Sequence, residues 1–312
     1  MSEKFSYSKI DTYQQCGFRY KLRYVDGHFI NTDSIATELG TAIHAAEETI
    51  ANKLKANEPI DYVALKNTLL LKLCELEYKY PLAFKEKDKS NRTTKDKVFG
   101  YLKTGIYRLE KFIMANSHLE VVAAEQEFNF GWNSVHFHGF IDRVLYNKHS
   151  KKFIVQDIKT YAVPVESKSL ATPLQFVIYT LAMKSLYNAD DSDVSCSYDL
   201  PFCDIIQEAG TKGYMKRGTT KLDELLHAIF SQDFTPKPTP LCHWCEFCPT
   251  NPDIKEEAKF LCPYYSLWTR ENKTHQVAST WKGLENHDAV LLEYKNQQIQ
   301  LPKSYYTMIE GV

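Results

Sequence analysis

The sequence predicts an α/β protein: a mostly helical first third, a three-strand meander, a helix and a further strand, then a cysteine-rich module. Three observations predict it. Apolar residues recur at helical spacing from about Ser8 to Ala115. From Leu119 the period shortens toward the two-residue alternation of strands. The run Thr235-Pro-Lys-Pro-Thr-Pro240 is too proline-rich for a helix or central strand, and it opens a segment dense in cysteine. The expected regions are therefore 1–118, 119–232 and 233–312.

The elements follow in order. A first helix opens at Ser8, with Asp11 as its capping partner, and carries Ile10, Tyr13, Phe18, Tyr20, Leu22 and Tyr24. A second spans about 35–54. A third begins near Asp61 and places Leu65, Leu69, Leu70, Leu73, Leu76 and Tyr80 on one side. Lys85, Lys87, Lys89, Arg92, Lys95 and Lys97 crowd a polar stretch read as a solubilising loop. A fourth helix covers 94–115. Strands follow at 119–130 and 135–145, separated by the turn signal Gly131-Trp-Asn-Ser134, and at 153–160. Phe153, Ile154, Val155 and Ile158 give the last of these the apolar run of a buried strand. A strong helix over 170–187, a strand over 194–200 and a short helix near 222–230 complete the core. No role is assigned to 268–312.

Length and composition set outer limits. At 312 residues and 44% hydrophobic content, the chain can build one large domain, or a core with a satellite module. No apolar run is long enough to cross a bilayer, and the start lacks a signal-peptide core, so a soluble cytoplasmic protein is expected. The net charge of −1 does not announce a nucleic-acid binder. Positive charge is local, however: Lys212, Lys216, Arg217 and Lys221 gather with Gly210, Gly213, Gly218 and Tyr214 as a candidate DNA contact. Of the eight cysteines, Cys74, Cys196 and Cys203 read as small buried hydrophobes.

Chemistry concentrates in Gly139-Phe-Ile-Asp142-Arg143 and Val155-Gln-Asp157-Ile-Lys159. Asp157 and Lys159 share a strand face, and a hairpin partner brings Asp142 beside them. Two carboxylates and an ammonium on one face can gather a divalent cation, a water and a phosphate. His44 lies on a helix among small residues, with Glu48 one turn on to orient its ring. A lone histidine is more often a core residue, so its weight comes from the company it keeps. Gln175 and Tyr179 are four apart on the helix after the third strand and so share a face. Cys242-His-Trp-Cys245-Glu-Phe-Cys248, followed by Cys262, has the knuckle spacing of a tetrahedral metal site or of one edge of an iron–sulfur cluster; His243 is a further candidate ligand.

These motifs, together with Ser6-Tyr-Ser8-Lys-Ile-Asp-Thr-Tyr13-Gln-Gln-Cys16, Gly40-x-x-x-His44 and Glu125-Gln-Glu-Phe128, resemble in content and order the RecB-like nucleases of the PD-(D/E)XK superfamily. Within that superfamily the likeness is to the iron–sulfur members: the AddB subunit, the CRISPR-adaptation nucleases and phage exonucleases. It spans about residues 5–265. The resemblance implies a restriction-endonuclease-like core and in-line hydrolysis of DNA phosphodiesters, at single strands or duplex ends. It implies Mg²⁺ or Mn²⁺ on His44, Asp142, Asp157 and the Ile158 carbonyl, with Lys159 positioning the attacking water. Gln175 and Tyr179 would hold DNA near the metal, with Glu125 as a supporting acid. It further implies a 4Fe-4S cluster on Cys16, Cys242, Cys245 and Cys262, Cys248 standing close behind as an alternative ligand, and a partner protein of recombination or CRISPR adaptation. Three alternatives stay open: structural Zn²⁺ in place of the cluster, a non-catalytic DNA-binding module, and a zinc-stapled restriction or repair endonuclease.

Overall fold

The computed structural model describes residues 4–30, 34–82, 84–88, 91–161, 163–237, 239, 242, 244–248, 251, 255, 258 and 261–262. The expectations for His243 and for 268–312 lie outside them. In chain order the elements are β1 (Lys4–Phe5), α1 (Tyr7–Gln15), α2 (Gly17–Tyr20) with a π-helical turn (Lys21–Val25), α3 (Ile35–Ala56), α4 (Tyr62–Lys79), α5 (Thr94–Lys103), α6 (Arg108–Ala115), β2 (Leu119–Trp132), β3 (Val135–Asn147), β4 (Lys152–Ile158), α7 (Ser167–Leu170), α8 (Leu174–Tyr187), β5 (Val194–Leu200), β6 (Ile205–Ala209) and α9 (Tyr214–Phe230). Among the described residues no helix is long and apolar enough to cross a membrane.

Chain contacts gather these elements into two compact units, 1–7 with 33–224 and 8–32 with 225–312. The first unit holds the sheet, in the order β1-β3-β4-β5-β6 with β2 also on β3. The meander β2-β3-β4 is antiparallel, and β5 returns parallel to β4 after α8. This is the mixed α/β arrangement expected of a restriction-endonuclease-like core. A strand has two edges, and β2 lines one edge of β3 along its whole length. The other edge is shared: β1 pairs with His136 and Phe137, whereas β4 begins its pairing at Arg143. Among the described strands, residues 138–142 of β3 have no neighbour on that edge.

Local chemistry sets the helix ends. Ser34 caps α3 by accepting from the Thr37 N–H, and Asn57 ends it in the left-handed region at φ 54°. Thr93 and Asp96 close a reciprocal capping box on α5. Ile43 and Ile50 of α3, Leu73 and Leu76 of α4, Val98 of α5 and Leu145 of β3 share one core. Helix α8 is buried from Leu174 through Met183, as its apolar composition requires.

Several expected boundaries differ. The first helix starts at Tyr7, which puts Asp11 past its first turn, and there Asp11 accepts from the Gln15 side chain at 2.7 Å. The fourth helix is two helices with a 3₁₀ turn, Gly105–Tyr107, between them. A Cβ on Gly105 would stand 2.7 Å from the Tyr101 ring, so the break sits at a close contact. Helix α9 starts at Tyr214, and that tyrosine hydrogen-bonds Thr180 of α8 at 2.8 Å. Cys196 is buried as expected, but Cys74 is exposed and Cys203 only half-buried.

The second unit has its own small core of Phe18, Leu22, Ile30, Phe247 and Ala258. A Cβ on Gly17 would lie 3.0 Å from the Phe234 backbone, so a glycine permits that approach. The Tyr13 hydroxyl donates to the Asp233 carbonyl at 2.5 Å, and the Tyr20 and Phe234 rings stack at 6.1 Å.

Candidate active site and cysteine pocket

Antiparallel pairing of Arg143 with Gln156 brings Asp142 to the end of β4. There its Oδ2 accepts from the Ile158 N–H at 2.6 Å, so the carboxylate caps the strand. The His44 Nδ1 lies 3.6 Å from the same oxygen. Helix α3 passes close to the strand end at Gly40, where a Cβ would stand in ordinary contact, 3.5 Å from Thr160 Oγ1.

Glu125 joins them. It falls between the pairs Ala124–Arg143 and Gln126–Ile141, which sets it across the ladder from Asp142. Two carboxylates facing each other across strands repel. Burial first, and then Asp142, raise the Glu125 pKa, with His44 pulling the other way. Its backbone has φ 45°, a left-handed conformation uncommon for a non-glycine residue. His44, Glu125 and Asp142 each offer a ligand atom, all within 4.8 Å of one another. A divalent cation would relieve the repulsion; the carboxylate oxygens suit Mg²⁺ and Mn²⁺, and the imidazole nitrogen favours a transition ion such as Mn²⁺.

Asp157 is buried. Its Oδ1 accepts from Gln175 Nε2 at 2.5 Å and from the Tyr179 hydroxyl at 3.3 Å. Its Oδ2 lies 2.7 Å from Lys159 Nζ but, among the described residues, accepts no directed hydrogen bond. A buried carboxylate oxygen in that condition has a lone pair for a metal or a water. Burial pushes the Asp157 carboxyl up to about 6, against the pull of Lys159. Burial disfavours the Lys159 ammonium, but Asp157 outweighs it and the pKa rises. Each group keeps the other charged.

The six predicted side chains His44, Asp142, Asp157, Lys159, Gln175 and Tyr179 are thus linked around the end of β4. Ile158 contributes its N–H to Asp142, while its carbonyl remains a proposed ligand. Beneath them lies a network that the sequence reading missed. Arg143, 1% exposed, donates to Gln156 at 2.9 Å and to Glu47 at 3.1 Å, and pairs with Asp199. Gln156 adjoins Asp157, Glu47 lies three residues from His44, and the Asp199 carbonyl accepts from the Lys159 N–H at 2.8 Å.

Residues 4–250 match the family described as the PD-(D/E)XK nuclease superfamily. The chain belongs to the PD-(D/E)XK nuclease superfamily. This PD-(D/E)XK protein therefore carries the fold of metal-dependent phosphodiester hydrolases, with DNA the substrate that the family implies. Among curated proteins none matches the sequence. A solved structure titled "Crystal structure of SSO0001" is 19% identical, with 77% of this chain and 96% of that one covered and a TM-score of 0.26.

In the second unit Cys16, Cys242, Cys245, Cys248 and Cys262 all line one pocket, with Gln15, Arg19, Leu22, Lys237, Thr239 and Phe247. Backbone N–H groups of Lys237 and Thr239 donate to the Cys16 and Cys242 sulfurs, each at 3.4 Å. Glu246, buried among them, is held by Arg19 at 2.8 Å and Arg23 at 3.0 Å. Burial and then Glu246 push the Cys245 thiol up to about 12, against Arg19. A cation at the sulfur is what makes such a thiol a thiolate.

Proposed function

We propose that this PD-(D/E)XK protein is a metal-dependent deoxyribonuclease that hydrolyses phosphodiesters at single strands or DNA ends, as an exonuclease of recombination, repair or phage DNA processing. The observation that carries the nuclease reading is the coupling of the His44–Glu125–Asp142 group to the buried Asp157–Lys159 pair across the end of β4. The finer assignment to exonucleases rests on the motif order that resembles the RecB-like members.

Mg²⁺ or Mn²⁺, held by His44, Glu125, Asp142, Asp157 and the Ile158 carbonyl, would polarise the phosphoryl group and acidify a bound water. Lys159 sets the attacking water in line and stabilises the charge that grows on the phosphoryl oxygens. The new bond is water oxygen to phosphorus, the broken bond is phosphorus to the sugar oxygen, and the leaving oxygen takes up a proton. Asp157 holds the Lys159 ammonium, and Gln175 and Tyr179 hold Asp157. In this reading Gln175 and Tyr179 position the carboxylate as well as lying close to the DNA.

The test is an assay on end-labelled single- and double-stranded DNA and on closed single-stranded circles, with each metal in turn. Asp157→Asn and Lys159→Ala should each lower turnover by about a hundredfold or more. Circles should resist. Undiminished cutting by both folded variants would refute the site, and rapid cutting of circles would refute the exonuclease assignment alone.

The cysteine pocket is proposed to hold a 4Fe-4S cluster on Cys16, Cys242, Cys245 and one of Cys248 or Cys262. The convergence of these residues on one pocket and the N–H donors aimed at two sulfurs support it. Arg19 beside them offsets the negative charge that four thiolates bring.

A further inference from the structure

Phe140 stands on β3 two residues before Asp142, on the same face and about 6.6 Å along the strand. Its neighbours Phe137 and Ile141 point the other way and are fully buried. Gly139, between them, is covered on that core side by Phe128, whose ring would lie 2.8 Å from a Cβ. Phe140 itself is 47% exposed. It lies within the stretch of β3 that has no neighbour on its second edge among the described strands. The ring is held, not loose: His138 meets it edge-on, with centroids 5.6 Å apart and planes at 84°. His138 in turn bonds Glu127 of β2 at 3.0 Å.

A phosphate in place at Asp142 would put the base of an adjoining nucleotide within reach of this ring. In duplex DNA that base has its faces covered by its stacked neighbours. An unpaired base has a free face, and aromatic side chains take such faces with little regard for sequence. We propose that Phe140, braced by His138, is the stacking platform for an unpaired nucleobase beside the scissile phosphate, so that the site favours single-stranded or frayed ends over closed duplex. The proposal rests on the nuclease reading given above and adds the feature that selects the form of the substrate.

The experiment uses the full chain and a single-stranded oligonucleotide carrying 2-aminopurine near the labelled end. Binding is read by fluorescence with Ca²⁺ replacing Mg²⁺, and cleavage with Mg²⁺. Phe140→Ala should weaken binding about tenfold or more, with most of the loss in KM rather than kcat. Phe140→Trp should restore both and quench the 2-aminopurine. An abasic site at the stacked position should make wild type and Phe140→Ala alike. Wild-type cleavage of single strands with unchanged affinity in Phe140→Ala would overturn the platform and leave the nuclease reading standing. A lowered Tm at unchanged affinity would also overturn it, by assigning the ring to packing. A wild-type chain that neither binds nor cuts DNA would overturn both.

Discussion

Arg143 is a fully buried cation, and its removal leaves the Glu47 carboxylate without its ion-pair partner and Asp199 with Arg108 alone. Breaking such a buried set at one member typically costs about 3–5 kcal/mol. Arg143→Met should therefore lose stability of that order in urea unfolding. Adding Glu47→Gln should return part of it, since the two changes share one interaction. A loss below about 1 kcal/mol would mean that water reaches the network and screens it. This residue also marks the limit of what the sequence revealed. Asp142, Asp157 and Lys159 were legible because a strand's period fixes faces, and Gln175 with Tyr179 because a helix turn does. Arg143 sits in the same motif, but its role depends on Glu47, 96 residues away. No local period reports such a contact. Glu125 was legible as an acid near the site, yet its place across from Asp142 depends on a left-handed backbone and on a register shift between Val121 and Ala123. Neither has a sequence signature.

At the scale of elements, the close approach of α9 to α8 depends on one glycine. A Cβ on Gly218 would come 2.2 Å from Val177 Cγ2, and Val177 is fully buried. Gly218→Ala should therefore destabilise the protein by about 1–3 kcal/mol through overpacking, despite alanine's better helix propensity. Val177→Ala in the same chain should relieve the clash, so the pair would be non-additive in a double-mutant cycle. Additive losses would show that α9 simply shifts. The long periodic helices α3, α4 and α8 and the meander were legible because each repeats one pattern over many residues. The two-residue strand β1 is too short to carry a period, and its pairing with His136 and Phe137 is a tertiary event. The break between α5 and α6 follows from packing around Gly105, while the flanking sequence stays helical in pattern.

For the molecule as a whole, the second unit is a small core with a cysteine-lined pocket, proposed above to hold a cluster, and small cores depend on cross-links. Anaerobically purified protein should contain about four irons and as much acid-labile sulfide per chain and be brown. Cys16→Ser should lose the iron and lower Tm. Of Cys248→Ser and Cys262→Ser, the one that keeps full iron identifies the surplus cysteine. Stoichiometric zinc with no sulfide would replace the cluster by a zinc site. The cysteine spacing was legible from sequence, but the company of Arg19, Arg23 and Glu246 was not.

That company has a consequence for how the protein is made. Arg19 meets Glu246 across 227 positions of chain, and Cys16 meets Lys237 across 221. A ribosome adding about 5–20 residues per second needs roughly ten to fifty seconds to cover that interval. Throughout it, the aromatic-rich opening helices have left the exit tunnel with none of these later neighbours yet synthesised. Co-expression of a chaperone that shields apolar surface should therefore raise the yield of this protein during translation.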